Sequence, residues 1–198
     1  MYLADAAAIV PSAPPSGGVE PFPAPSIPKR PSHFLAFRPA PGAVGEMAEL
    51  RDGHGFSGSP VRDEYLHLTL FWLGYDHPGT PALIRSACET ADTLAAPPLR
   101  IVFDKLVAAE HNLLLLPAEP LDHLRAFQQR LALALAVRGM KPDPAWRFHP
   151  HVTLRRGPPG GAAGATLPIA WTAAEFVLIR SLPDPFRHET VGAWPLRG

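Results

Sequence analysis

A His-x-Thr motif occurs twice in the sequence, each time among alternating aliphatic residues. The first copy lies in YLHLTLFWLG, residues 65–74, and the second lies in FHPHVTLRR, residues 148–156. Such alternation is typical of a β-strand that buries one side only, and residues i and i+2 of a strand face the same way. We therefore predict two strands that each bury their aliphatic residues in a core and present an imidazole and a hydroxyl on the opposite face.

The two motifs bring four side chains into consideration, His67 and Thr69 from the first and His151 and Thr153 from the second. If the two strands lie side by side or across a cleft, these groups converge. Two imidazoles that titrate near neutrality can share one proton, so that one acts as general base and the other as general acid. Threonine hydroxyls can donate hydrogen bonds to the non-bridging oxygens of a phosphate. The pattern predicts hydrolysis of a phosphodiester without a metal ion.

Two other interpretations of the histidines stay open. A single histidine in a strand is more often structural than catalytic, although chance repetition of the whole motif is rare. His149 and His151 could instead ligate a metal ion as a His-x-His pair, but no acidic residue stands at a matching spacing. We expect neither a metal nor a cofactor.

Charge and cysteine content limit the partners and the compartment. The chain has 18 basic and 18 acidic residues, whereas proteins that coat duplex nucleic acid usually carry a basic surplus. We therefore expect contact with the end of an RNA or with a short piece. Cys88 is the only cysteine, which excludes an intramolecular disulfide and a cysteine zinc site. With no predicted signal peptide or membrane span, we expect a cytoplasmic monomer that binds no membrane.

The predicted elements give the domain organisation. Residues 1–31 are rich in proline and are predicted to be a flexible tail, and residues 32–198 are predicted to form a single bilobal domain. The glycine-rich residues 157–165 are predicted to be a mobile loop. Helices are predicted at 42–51, 81–94 and 120–138. Strands are predicted at 33–37, 66–74, 99–109, 112–117 and 151–156, and near 173–181 and 188–196.

These features resemble the 2H phosphoesterase superfamily, and within it the bacterial RNA 2',3'-cyclic phosphodiesterases, also called 2'-5' RNA ligases. HFLAF resembles the first strand of the family, LHLTLFWLG and FHPHVTLRR its two motifs, and VGAWPL its closing strand. The resemblance covers about residues 33–197. It implies an α+β fold with two pseudo-symmetric lobes of antiparallel β-sheet, with outer helices, and with the His-x-Thr strands lining a central cleft.

The resemblance also implies a role for each motif residue. His67 would protonate the leaving 3'-oxygen, and His151 would activate the attacking water. Thr69 and Thr153 would bind the phosphate.

Four further residues are candidates or near the site. The family often has an arginine shortly after the second motif, which corresponds to Arg156, whereas strand alternation places Arg155 on the His151 face unless a bulge reverses it. Phe148 stacks on a base or fills the core, and both alternatives stay open. His188, which precedes the last strand, either approaches the cleft or is a surface histidine, and the surface interpretation is preferred.

The implied activity is hydrolysis of a 2',3'-cyclic phosphate at the end of RNA or of a nucleotide, giving a 2'-phosphomonoester. Reversal of this chemistry would give weak 2'-5' ligation of RNA. Two alternatives stay open: a nucleotide-binding module without turnover, and a phosphodiesterase that acts on 2'-5' oligonucleotides or on ADP-ribose cyclic phosphate. The second alternative would share the catalytic residues and differ only in the base and sugar pockets.

Overall fold

Strands and helices alternate along the chain in the predicted order. The computed structural model describes residues 30–53, 55–109, 111–141, 147–158 and 163–198. Nearly all of the predicted tail and part of the predicted loop at 157–165 lie outside the described residues. The helices are α1 (Pro41–Gly53), α2 (Thr80–Asp92) and α3 (Asp122–Val137), and a 3-10 turn spans Asp63–Tyr65. The strands are β1 (Ser32–Phe37), β2 (Ser59–Pro60), β3 (Leu68–Tyr75), β4 (Leu99–Ala109), β5 (Asn112–Leu116), β6 (Val152–Arg156), β7 (Gly164–Ala173), β8 (Glu175–Pro183) and β9 (Phe186–Pro195).

All these strands belong to one antiparallel sheet. Their order is β7-β4-β5-β6-β3-β1-β8-β9, and β2 adds to β6. Two four-stranded halves meet where β3 pairs with β6, and in the described part of the chain that pairing consists of Leu68 opposite Val152. The predicted α+β fold with two halves of antiparallel sheet is therefore confirmed, and the halves are continuous across the middle of the sheet.

The three helices share the larger hydrophobic core with one face of the sheet. Met47 of α1, Ala87 of α2 and Leu131 of α3 are fully buried in the same cluster as Phe37 and Leu68. Each large apolar side chain buried in this way contributes roughly 1.5–3 kcal/mol relative to an exposed one. This cluster fixes which side of β1 and β3 is turned away from the helices.

The opposite face of the sheet carries a smaller apolar cluster formed by strand residues. Phe34, Ala36, Val177 and Ile179 are buried there, and Trp72 packs against them. Alternation along β1 and β8 sends these residues away from the helices. Among the described residues, the helix-free face therefore carries no helix and is partly apolar.

Strand β7 was not predicted, and the predicted loop at 157–165 ends inside it. Pro168 and the small residues around it hide the strand in the sequence. β7 is an edge strand that pairs with β4, and the pairing is irregular between Phe103 and Lys105, where their partners are Ile169 and Ala165. Proline is tolerated on an edge strand next to such an irregularity because no second strand needs its missing N–H.

Strand β2, of two residues, was not predicted either. All the helices and strands that were predicted are present, with ends within two residues of the prediction. None of the described helices has the length and apolar character that crossing a membrane requires.

Candidate active site

The two His-x-Thr motifs meet at the pair that joins the halves of the sheet. Leu68 and Val152 are the middle residues of the motifs, and they lie opposite each other in antiparallel pairing. Both are fully buried in the core shared with the helices. Because side chains alternate along a strand, the histidine and threonine on either side of each point to the helix-free face.

The pairing also sets which motif residues are neighbours. Continuing the antiparallel register by one residue in each direction places His67 level with Thr153 and Thr69 level with His151. An antiparallel pair has a local two-fold axis, so each histidine has the same relation to the threonine of the other motif. The predicted convergence of the four side chains follows from this register.

Both motif histidines are held in the same tautomer by the backbone. Nδ1 of His67 lies 2.6 Å from the carbonyl oxygen of Tyr65, and Nδ1 of His151 lies 2.7 Å from the carbonyl oxygen of His149. Because a carbonyl only accepts hydrogen bonds, Nδ1 carries the hydrogen and donates in each case. In the neutral ring Nε2 then holds the lone pair. Nε2 is therefore the nitrogen of each ring that can exchange a proton with a ligand.

The ring of His67 is enclosed by aromatic side chains. It stacks on Phe34 at a centroid distance of 4.7 Å, and the ring of His188 meets it edge-on at 5.4 Å. Burial lowers the pKa of His67 to about 4; its hydrogen bond to Tyr65 opposes this shift, and the charge of Arg156 adds to it. His67 is therefore neutral at pH 7 before a ligand binds.

A cavity of about 640 Å³ opens beside His67 and Thr69 on the helix-free face. This volume lies within the range of about 300–1,000 Å³ that small-molecule sites occupy. Tyr65 and Arg156 also line it, and so do aromatic residues of β3 and β9. Within the described part of the chain, His151 is not among the lining residues, so the cavity lies on the His67 side of the pair.

A β-bulge decides which arginine follows the second motif into the site. Thr153 is paired with Leu114, but Arg155 is paired with Leu113, so β6 has one extra residue between them. The extra residue reverses the alternation beyond it. As a result Arg156 lies on the same face as Thr153, and it lines the cavity.

Arg155 has a different place. Its guanidinium donates to the carbonyl oxygens of Arg51, Ser57 and Gly58 at 3.2, 3.2 and 2.9 Å. These bonds tie β6 to the loop that precedes β2. Of the two arginines that follow the second motif, Arg156 therefore lines the cavity and Arg155 does not.

The first motif, like the second, is followed by a β-bulge directly after its threonine. The register of β3 against β1 shifts between Leu35 and Ala36, directly after Thr69. The residue that the shift turns to the helix-free face is Trp72, which lines the cavity. Trp72 and Arg156 are therefore equivalent positions of the two halves, three residues after their threonines.

The interpretation of His188 as a surface histidine is wrong. Its ring contacts Tyr65, His67 and Phe34 at centroid distances of 4.7, 5.4 and 5.6 Å, and its Nδ1 is buried without a hydrogen-bond partner among the described residues. Burial, followed by the nearby His67 charge, lowers the pKa of His188 to about 3. The sequence held one signal for this position: Phe186 and His188 are two residues apart in a strand and so share a face.

The tip of the β8–β9 hairpin is held against the 3-10 turn, a contact that the sequence did not indicate. The hydroxyl of Tyr65 donates to the carbonyl oxygen of Phe186 at 3.1 Å, and Arg62 donates to the same oxygen at 3.2 Å. The guanidinium of Arg62 also lies 4.6 Å from the centre of the Tyr65 ring. These contacts hold His188 beside His67.

Phe148 does not line the cavity. It packs against the larger core and lines a separate pocket of about 200 Å³ together with His149 and Pro150. Of its two predicted roles, the structure shows packing. Across the described ranges, no group of three or more His, Cys, Asp or Glu side chains is arranged to hold a metal ion.

Comparisons with solved structures show the same fold. A structure described as a phosphoesterase has a TM-score of 0.74 at 21% identity, and the match covers 85% of this chain and 99% of the other. Escherichia coli LigT in complex with ATP has a TM-score of 0.71 at 21% identity, with coverage of 85% and 99%. The protein TT0787 of Thermus thermophilus has a TM-score of 0.58 at 22% identity, with coverage of 84% and 98%.

The sequence matches no curated protein. A family model does match, over residues 39–184, and its description is the 2'-5' RNA ligase superfamily. That range covers well over half of the chain and contains both His-x-Thr motifs. The protein therefore belongs to the 2'-5' RNA ligase superfamily, the 2H phosphoesterases that its two motifs resemble.

Proposed function

We propose that the protein hydrolyses a 2',3'-cyclic phosphate at the end of RNA or of a nucleotide and releases a 2'-phosphomonoester. The pairing of Leu68 with Val152 carries this proposal, because it sets two imidazoles and two hydroxyls on one face of the sheet. Each imidazole has its Nδ1 bound to a backbone carbonyl and its Nε2 left for proton transfer. In-line displacement at phosphorus needs a base and an acid on opposite sides, and two such histidines supply both.

In the proposed reaction one histidine accepts a proton and the other donates one. Nε2 of His151 takes a proton from water while the water oxygen forms a bond to phosphorus. The bond from phosphorus to the 3'-oxygen breaks, and that oxygen receives the proton of Nε2 of His67. Thr69 and Thr153 donate hydrogen bonds to the non-bridging oxygens, and Arg156 offsets the negative charge that grows on them. The proton that His151 gained returns to the pair through solvent.

The low pKa of His67 bears on its role as acid. A weakly basic imidazole is a strong acid once it is protonated, which favours transfer to an alkoxide. The ligand-free protein holds His67 neutral, but a phosphate anion next to the ring favours its charged form. We infer that the substrate brings about the protonation of His67 on binding.

Ligands of the related fold support a nucleotide in this cavity. Escherichia coli LigT has been solved with ATP, with 3'-AMP and with phosphate. In this protein the aromatic lining suits a base, and Arg156 suits a phosphate. Run in reverse with a 5'-hydroxyl RNA, the same chemistry gives 2'-5' ligation.

Phosphorus NMR of a 2',3'-cyclic nucleotide, and of a short RNA with the same end, tests the proposal in excess EDTA. The cyclic phosphate signal should be replaced by that of a 2'-phosphomonoester with the parent protein and should persist with His151→Ala. His149→Ala is the matched control, since its side chain is exposed and lies outside the pair, and it should behave like the parent. Persistence of both cyclic substrates with the parent would refute the proposal. Loss of turnover in EDTA together with loss in His149→Ala would instead indicate a metal site.

A further inference from the structure

We propose that Trp72 and Tyr75 form a binding site for a second base, so that the preferred substrate is single-stranded RNA ending in a cyclic phosphate and not a cyclic mononucleotide. The inference rests on the proposed function and adds the length of the substrate. It starts from the broken symmetry of the two halves, because the position that holds Arg156 in one half holds Trp72 in the other.

Trp72 and Tyr75 together are called the platform, and Trp72 is held in place by packing. Its side chain packs against Phe34, Val177 and Ile179, which are buried on the helix-free face, and it also lines the cavity. The ring of Tyr75 meets it edge-on at 5.1 Å, and Tyr75 is 37% exposed. Two aromatic rings supported from below and open to a cavity match the stacking sites of single-strand binding proteins.

The outer part of the platform lies too far from the phosphate site to serve only the terminal base. Thr69, Trp72 and Tyr75 are paired with Ala36, Phe34 and Ser32 of β1, so Trp72 and Tyr75 lie two and four β1 residues from Thr69, about 7 and 13 Å at roughly 3.3 Å per residue. A stacked nucleic-acid strand advances about 3.4 Å per nucleotide. Tyr75 is therefore more than one nucleotide step from the phosphate site and is reached by a nucleotide that precedes the terminal one.

A separate group of rings is available for the terminal base. Tyr65, Phe186 and His188 contact one another and line the cavity next to His67. The ring of Phe34 lies between His67 and the platform, since it stacks on the one and packs with Trp72. The cavity thus offers two stacking positions in a row along β3.

Charge along the cavity fits a chain of phosphates. Arg62 and Arg156 line the end near His67. Arg30 lines the cavity together with Ser32, which is paired with Tyr75, and Ser181, which is paired with Ser32 on its other side. Single-strand sites combine such positive groups, which follow the backbone, with aromatic rings that stack on bases of any identity. The platform should therefore select for length and be tolerant of sequence.

The test compares kcat/KM for a dinucleotide ending in 2',3'-cyclic phosphate with kcat/KM for the corresponding cyclic mononucleotide. The parent should favour the dinucleotide, and in Trp72→Ala the ratio should fall by about 5- to 150-fold, the range for loss of one stacked base. Trp72→Phe keeps an aromatic face and should keep most of the ratio. Tyr75→Ala provides a second variant if Trp72→Ala fails to fold, because Tyr75 lies at the exposed end of the strand.

The possible results distinguish failure of the second-base site from failure of the proposed hydrolysis. Turnover of both substrates with a parent ratio near one, or with the same ratio in the parent, Trp72→Ala and Tyr75→Ala, overturns the second-base site and leaves the proposed function standing. Absence of turnover on both substrates overturns the proposed function and this inference with it.

Discussion

The hydroxyl of Tyr65 donates a hydrogen bond to the carbonyl oxygen of Phe186, 3.1 Å away. The backbone carbonyl of the same tyrosine accepts the Nδ1 hydrogen of His67. One residue thus orients the imidazole of the first motif and anchors the tip of the β8–β9 hairpin over the cavity. The hairpin in turn places His188 against the other side of His67.

Removing this anchor should loosen the hairpin without unfolding the protein. Tyr65→Phe keeps the ring and loses two hydrogen bonds of the hydroxyl, the one it donates to Phe186 and the one it accepts from Arg62, each worth about 0.5–1.5 kcal/mol. We expect faster amide hydrogen exchange at residues 186–188 and a KM several-fold above that of the parent. Tyr75→Phe also removes a hydroxyl from the cavity lining but lies away from the hairpin tip, so its exchange at 186–188 should match the parent. Equal exchange in all three proteins would show that the tip is held by other contacts.

Loss of either motif histidine should abolish most turnover and leave the fold intact. His67→Ala and His151→Ala should each lower kcat by about 10²–10⁴, the range for removal of one general acid or base. Single-turnover kinetics on a cyclic phosphate measures the effect, and circular dichroism melting curves check the fold. Retention of parent rates by either folded variant would show that the assignment to two histidines is wrong.

The sequence predicted the catalytic candidates because their signal is local. Alternation around Leu68 and Val152 shows which side of each strand is buried, and the same alternation puts the flanking histidines and threonines on the other side. Alternation does not predict that the two motif strands lie next to each other, and that expectation came from the resemblance to a known family. The register that pairs Leu68 with Val152 is a property of the whole sheet.

Other parts of the site could not be read from the sequence because they depend on tertiary contacts. A bulge in β6 between Thr153 and Arg155 decides that Arg156, and not Arg155, reaches the cavity. His188 lies in a polar sequence and became a site residue only because the hairpin folds back over the cavity. Strand β7 was missed since Pro168 is unfavourable in a strand unless that strand is at the edge.

The two adjacent arginines should have separable effects. Arg156→Ala should lower kcat/KM by about 10²–10³, the cost of removing one donor that stabilises transition-state charge, with little change in the free energy of unfolding. Arg155→Ala should lower the free energy of unfolding by about 2 kcal/mol, because three backbone carbonyls lose a charged donor and hydrogen bonds from a charged group contribute about 1.5–3 kcal/mol. Urea unfolding and steady-state kinetics on both variants provide the measurement. The reverse assignment of effects would mean that Arg155 faces the phosphate.

Acid should destabilise the folded protein in a defined window of pH. The pKa of His67 is lowered to about 4 and that of His188 to about 3, chiefly by burial, whereas both are near 6.5 in the unfolded chain. Between these values the unfolded chain binds protons that the folded protein excludes, so stability rises with pH. The free energy of unfolding should therefore be highest above pH 6.5 and should fall as the pH drops from 6.5 toward 4. Each histidine contributes a slope of up to about 1.4 kcal/mol per pH unit.

The variant His188→Phe isolates one of these contributions. Phenylalanine keeps a ring against Tyr65 and His67 but has no site for a proton, so the slope between pH 6.5 and 4.5 should decrease by the share of one histidine. His33, whose pKa is also lowered mainly by burial, acts in the same direction in both proteins and cancels in the comparison. Urea unfolding of the parent and of His188→Phe at four pH values gives the two slopes. Parallel slopes would show that His188 takes up its proton as readily in the folded protein as in the unfolded chain, and that its burial in the hairpin does not lower its pKa.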